Sequence, residues 1–183
     1  MVAAILKSPT TRILLRFEQQ AIKTHGRTVY LTTDVNAKAC GATRRTGEHL
    51  QFLVHPIQTS FAHGLTPIEG KVDLLLFNFP YVPTTDAELA NAENDLTRSW
   101  AGGKDGRRVI DKWIEQKWLA KVSSRCGVCY LVVVEENRPD ELITLICQHN
   151  ATSVFSWQGE RFLQRKAGRE RLCVLKFTAV PQS

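Results

Sequence analysis

Val72-Asp73-Leu74-Leu75-Leu76-Phe77-Asn78-Phe79-Pro80-Tyr81 is the stretch on which the fold turns. An acidic start followed by an unbroken apolar run predicts a strand buried on both faces, as in a parallel sheet. Asn78 and Pro80 then form a polar turn at its end. A side-chain amide held at the mouth of a buried strand has chemical use. Its oxygen, together with a main-chain carbonyl, can accept both hydrogens of a planar NH2 group and turn that nitrogen's lone pair toward an electrophile. The gain is positional, with reacting atoms near 3 Å, and no strong base is needed. Tyr81 offers a flat face for stacking on a planar amide or a base. The plainer alternative is a polar turn with no further role.

Working outward, strand and helix periods alternate. Val2 to Leu6 could just form the central strand, and Arg12 to Thr24 reads as a helix with Ile13, Leu14 and Phe17 near one face. Thr28 to Thr32 reads as a strand, and Asn36 caps a helix from Ala37 to about Thr46. Gln51 to His55 is a weaker strand. After Tyr81 comes a long polar loop, then a helix from Asp105 to about Ala120 with Val109, Ile110, Trp113, Ile114 and Trp118 at helical spacing. Cys129 to Val134 is strongly strand-like, and Pro139 opens a helix to about Gln148. Thr152 to Trp157 and Leu172 to Phe177 close the chain as two strands joined by a basic loop. Such alternation predicts an α/β fold with a mostly parallel sheet, and the last two strands supply an antiparallel edge. In these sheets ligands lie outside the carboxyl ends of the strands. That rule selects Asn78-Phe79-Pro80-Tyr81 and also Thr33-Asp34-Val35-Asn36. A carboxylate at Asp34 can accept two hydrogen bonds from a ribose diol or stabilise a helix N-terminus.

Composition bounds the rest. With 183 residues, 43% hydrophobic and 23% charged, the chain is expected to be one domain, residues 1–183, with an ordinary core. No apolar run is long enough to span a membrane, and no secretory leader is recognised. The 5 cysteines are odd in number and scattered, which points to a reducing compartment, the cytoplasm or also the nucleus. Cys126 and Cys129 form a CxxC, but it opens an apolar strand and lacks a second pair, so no metal is expected. The net charge of +6 and the basic segment from Arg161 to Arg171 allow a nucleic-acid partner without favouring one.

The run Asp73 to Pro83 resembles the NPPY motif of amino-methyltransferases, and Ser99-Trp-Ala-Gly-Gly-Lys-Asp-Gly-Arg107 resembles the segment that follows it in HemK-type protein glutamine methyltransferases. Thr33 to Asn36 is similar to their acidic ribose loop. Val134-Glu-Glu-Asn137 and the tail Leu172 to Thr178 are most similar to the eukaryotic and archaeal branch, which methylates the glutamine of the GGQ motif in class 1 peptide-chain release factors. The resemblance covers residues 28–178. It implies a class I, Rossmann-like fold and an in-line displacement at the sulfonium methyl of S-adenosyl-L-methionine. By it, Asn78 takes the amide through its side chain, Phe79 supplies a backbone carbonyl within the Phe79-Pro80 turn, and Tyr81 packs on the target. Asp34 and Val35 hold the ribose, and Ser60 and Phe61 meet the adenine. It also implies a small zinc-binding activator subunit covering an apolar sheet edge.

Three departures shape the expectation. The motif reads Asn-Phe-Pro-Tyr, which keeps the carbonyl but is expected to place a bulky ring in the pocket wall. Ser60 stands where an acid is usual, a weaker acceptor. No glycine precedes Gly26, so the slot of the cofactor's glycine loop holds Lys7-Ser-Pro-Thr-Thr11. The reading is therefore an N-terminally truncated domain whose first strand and glycine loop are missing or degenerate. A lost strand would leave a gap at the sheet centre, poor stability and weak cofactor affinity. Methylation of another nitrogen, a lysine amine or adenine in nucleic acid, is the near neighbour of this reading, and the alternative from another class is a catalytically silent interaction module that binds the activator subunit.

Overall fold

The structure, a computed structural model, describes residues 2–6, 29–85, 87–88, 99–168 and 170–182. A seven-stranded sheet runs in the order β3-β2-β1-β4-β5-β7-β6. Its members are β1 (Val2–Leu6), β2 (Val29–Asp34), β3 (His55–Gln58), β4 (Val72–Phe77), β5 (Ser123–Val134), β6 (Phe155–Ala167) and β7 (Glu170–Pro181). The first five strands pair in parallel, and β7 pairs antiparallel with both β5 and β6. The α/β class and the closing antiparallel hairpin are as the alternation predicts. The α-helices among the described residues are α1 (Ala37–His49), α2 (Arg108–Glu115), α3 (Trp118–Val122) and α4 (Pro139–Asn150).

The sheet has no gap at its centre. Val2 to Leu6 pairs with β2 on one side and β4 on the other, through registers such as Leu6 with Thr33 and Leu6 with Phe77. The strand is present, because a run of five apolar residues suffices when both neighbours supply ladder partners. The predicted helix from Arg12 and the glycine-loop slot at Lys7 to Thr11 lie outside the described residues.

Other boundaries move for identifiable reasons. Asn36 caps α1 as predicted, its Oδ1 accepting from Lys38 N at 2.8 Å. The expected strand at Gln51 to His55 is displaced to His55–Gln58. Residues 51 to 54 alternate exposed and buried like a strand. Their backbone instead closes α1, with Phe52 N donating to Gly47 O at 2.8 Å and Gln51 at φ 52. The single helix expected from Asp105 to Ala120 is two, broken by Lys117 in the left-handed region at φ 54 and preceded by a 3-10 turn over Lys104–Gly106. The basic loop expected between the last strands is mostly strand, because β6 and β7 extend toward its tip, paired from Phe155/Pro181 to Ala167/Glu170 with one register shift between Arg161 and Leu163.

Strand alternation divides the apolar side chains between two cores. On one face Leu75, Phe77, Cys129, Leu131, Val133, Leu175 and Phe177 pack against Ile110, Trp113, Leu119, Leu142 and Ile146 of α2, α3 and α4. On the other, among the described residues, Tyr30, Phe52, Val54 and Leu76 are buried together, beside Leu50, Leu74 and Tyr130.

Candidate active site

The carboxyl ends of β3, β2, β1 and β4 form a row that carries the candidate residues. The registers place Asp34 and Asn78 each one residue beyond partners of Leu6, so a single strand separates them. Two strand spacings put their backbones roughly 10 Å apart.

Asp34 is 9% exposed. One carboxylate oxygen accepts from Asn36 N at 2.8 Å, and the other makes no hydrogen bond among the described residues. Its main-chain carbonyl accepts from Thr59 N at 3.0 Å, which ties the β3 loop to the β2 loop. Val35 is exposed on the same edge, and its carbonyl accepts from Gln58 Nε2 at 3.3 Å. Ser60 is exposed, with its carbonyl engaged by His63 at 2.7 Å. Phe61 is half-buried at φ 52, its ring edge-on to Phe77 at 6.0 Å and 6.1 Å from Trp118. Part of its surface therefore belongs to the larger core. Cys40 lies behind this loop, its Sγ donating to Asp34 O at 3.7 Å. Burial, and then the charge of Asp34, push its thiol up.

Asn78 follows β4 directly. Its Oδ1 is buried and has no hydrogen-bond partner among the described residues. No hydrogen bond from the described residues reaches the Phe79 carbonyl either. An orphaned buried acceptor costs about 1–3 kcal/mol, and two acceptors at this turn are therefore open to a donor from outside the described residues. The Phe79 ring does not stand in the pocket wall as expected. It is 2% exposed and packs on Phe77 at 5.5 Å and Tyr81 at 6.4 Å. Alternation along the chain sends this ring to the core side, and only its main chain faces the turn. Pro80 is buried and Tyr81 half-buried. Desolvation, and then the charge of Glu170 on the β6–β7 hairpin, raise the Tyr81 phenol above its ordinary range.

The turn rests on a glycine-rich rail that periodicity could not reveal. Val82 N donates to Trp100 O at 3.2 Å, Gly102 N to Val82 O at 2.8 Å, and Thr84 N to Gly103 O at 3.0 Å. A Cβ on Gly102 would lie 2.5 Å from Pro80 O, and one on Gly106, at φ +66, would lie 1.9 Å from Tyr81 O. Asn137, wholly buried after β5, donates from Nδ2 to Tyr81 O and to Asp105 O, each at 2.8 Å, and accepts from Val134 N at 2.8 Å. Its signal in sequence is an asparagine in a strand-to-helix turn, which reads equally well as an ordinary cap. Cys126 and Cys129 do not converge: three residues apart on β5, one is exposed and the other buried on the core face.

No family model matches the chain. The chain is similar to the methyltransferase HEMK2 of Mus musculus, 37% identical over 153 residues, which are 83% of this chain and 67% of that protein. It is similar also to the eRF1 methyltransferase catalytic subunit mtq2 of Schizosaccharomyces pombe, 33% identical over 155 residues, or 81% of this chain and 63% of that one. The chain thus spans about two thirds of the length of these relatives. Among solved structures it resembles the E. cuniculi Mtq2–Trm112 complex, described as responsible for methylation of the eRF1 translation termination factor, with TM-score 0.64, 23% identity, and coverage of 97% of this chain and 84% of that one. The sheet order, the acidic β2 loop and the amide turn after β4 agree with that likeness, and the chain belongs to the family of HemK-type methyltransferases that includes HEMK2 and Mtq2.

Proposed function

We propose that this chain forms the greater part of an S-adenosyl-L-methionine-dependent methyltransferase that acts on a glutamine side-chain amide of a class 1 peptide-chain release factor. The observation that carries the reading is the buried Asn78 Oδ1 without a hydrogen-bond partner among the described residues, one position beyond β4. Asn78 Oδ1 and the Phe79 carbonyl would each accept one hydrogen of the target NH2. That arrangement orients the nitrogen lone pair away from both acceptors and leaves the amide proton free to depart after transfer. Tyr81 would pack on the amide plane as a neutral phenol, which its raised pKa favours.

The residues present fit the nucleoside end of the cofactor. Asp34 keeps one carboxylate oxygen without a partner among the described residues, suited to a diol. Val35 and Ser60 border the same edge, and Phe61 is braced by Phe77. The cofactor would supply the electrophilic methyl group. The same reading includes a small zinc-binding activator subunit. Edge strand β3, with Leu53 beside it 74% exposed, supports a seat for it. Unpaired thiols at all five cysteines support a reducing compartment, cytoplasmic or nuclear.

The test is mass spectrometry of a release factor incubated with this chain, its activator and S-adenosylmethionine. Methylation of one glutamine is expected, with Asn78→Ala lowering the rate by about a hundredfold or more, the scale of a lost positioning contact. No transfer by the unaltered chain, or full activity in Asn78→Ala, would reject the reading.

A further inference from the structure

We infer that Asn137 is the positioning residue of the acceptor turn, holding the main chain at Tyr81 so that the oxygens of Asn78 and Phe79 keep fixed places. The inference rests on the proposed amide chemistry for its consequence, but its structural core stands apart from it. Within Asn78 to Tyr81 only Pro80 has a ring-locked φ. The flanking residues are fixed by tertiary contacts or not at all.

Asn137 supplies the densest of those contacts. Its NH2 has two hydrogens, and both are used: one on Tyr81 O and one on Asp105 O, each at 2.8 Å. Its oxygen accepts from Val134 N at 2.8 Å. One planar group thus joins the end of β5, the acceptor turn after β4 and the 3-10 turn at Lys104–Gly106. The last of these is held in an uncommon shape. Asp105 is at φ 56 and ψ 11, left-handed for a residue with a side chain. Gly106 follows at φ +66, and a Cβ there would lie 2.5 Å from Asn137 Nδ2 as well as against Tyr81 O. The two turns and the amide therefore leave no slack between them. Asn137 makes no hydrogen bond to Asn78 Oδ1, so its effect on the reaction passes through the backbone. Serine is too short to span both carbonyls. An ionised aspartate would keep the acceptor for Val134 N but face two carbonyl oxygens with no hydrogen to give.

The test compares Asn137→Asp and Asn137→Ser with Asn150→Ala. Asn150 is a second wholly buried asparagine, accepting from Ala120 N and donating to Ile146 O, each at 3.0 Å, at the far end of α4. Asn137→Asp is expected to lower kcat for amide methylation by about a hundredfold, the cost of a misplacement near 1 Å, with the Kd for S-adenosylmethionine changed by less than about twofold. Hydrogen exchange at Val82, Thr84 and Gly102 should quicken in the same variant. Asn150→Ala is expected to lower thermal stability while leaving kcat within about twofold of the unaltered chain. In the unaltered protein, NMR should show both Nδ2 protons of Asn137 protected, with couplings to the Tyr81 and Asp105 carbonyls. Unprotected Nδ2 protons would overturn the inference even if the variants fail to fold. So would Asn137→Asp with full kcat, or with unchanged exchange on the rail. If the unaltered chain transfers no methyl group, the proposed function fails, and the exchange and NMR results still decide the placement of Asn137.

Discussion

Among the described residues, the two faces of the sheet bury clusters of different size. Beneath Leu75 and Phe77 lies a core in which Trp113, Ile110, Leu119, Leu131, Leu142 and Leu175 are all wholly buried, under three helices. On the opposite face, among the described residues, Leu76 is buried with Tyr30, Phe52 and Val54, beside Leu50, Leu74 and Tyr130, and α1 contributes Thr43 and Gly47 as buried residues. The acceptor turn hangs from the deep side, through Phe79 and the glycine rail. Among the described residues, the Asp34 loop is held by hydrogen bonds to Asn36, Thr59, Gln58 and Cys40. The difference is one of support: the turn proposed to hold the amide is packed through a buried ring on the larger described core, and the loop proposed for the ribose is tied by hydrogen bonds.

Core truncation gives the largest test of that contrast. Phe77→Ala, at 3% exposure, should cost about 3–5 kcal/mol, with Phe52→Ala below that range if its cluster is no larger than among the described residues, since a smaller cluster collapses more fully. Urea unfolding measures both, and equal losses would erase the distinction. Backbone substitutions sharpen it. Gly70→Ala, at φ +68 in open space, should cost only the left-handed strain of about 1–2 kcal/mol. Gly106→Ala should exceed it by thermal melting, because its Cβ also meets Tyr81 O.

Thiol chemistry reports the same depth without altering stability. Cys40, half-buried beside Asp34, should react with iodoacetamide before the wholly buried Cys129 and Cys173, followed by mass spectrometry. Burial pushes the Cys129 thiol far above the usual thiol range, which removes its thiolate at neutral pH.

The smallest effect lies at alkaline pH. Tyr81 is raised in the fold by desolvation and then by Glu170. Above about pH 10 the unfolded chain loses this proton first, so the folded state binds more protons and stability falls as pH rises. Tyr81→Phe should remove that increment from the alkaline limb of a pH–stability curve. An unchanged limb would separate Tyr81 from the hairpin tip.

The β4 strand and its turn were legible because a buried parallel strand must be apolar throughout, and because Asn and Pro interrupt it sharply. Asp34 was legible by position alone, at a strand-to-helix junction. The glycine rail was visible only as a likeness, since nothing in Ala101-Gly-Gly-Lys-Asp-Gly106 states which carbonyl it will press against. The helix break at Lys117 escaped because Trp113, Ile114 and Trp118 keep a helical spacing across it. The misplaced β3 had the opposite cause: alternation at Phe52 and Val54 reflects burial beneath a helix end, not a ladder.

Local composition and period thus determined the α/β class, the buried strand before Asn78, the Asn36 cap and the closing pair of strands, because each depends on residues near one another in the chain. Tertiary structure alone decided that Val2 to Leu6 fills the sheet centre, that the Phe79 ring turns inward, and that Asn137 reaches Tyr81 across 56 positions of sequence. Those outcomes depend on hydrogen-bond partners and free volume supplied by distant segments, which no window of sequence contains.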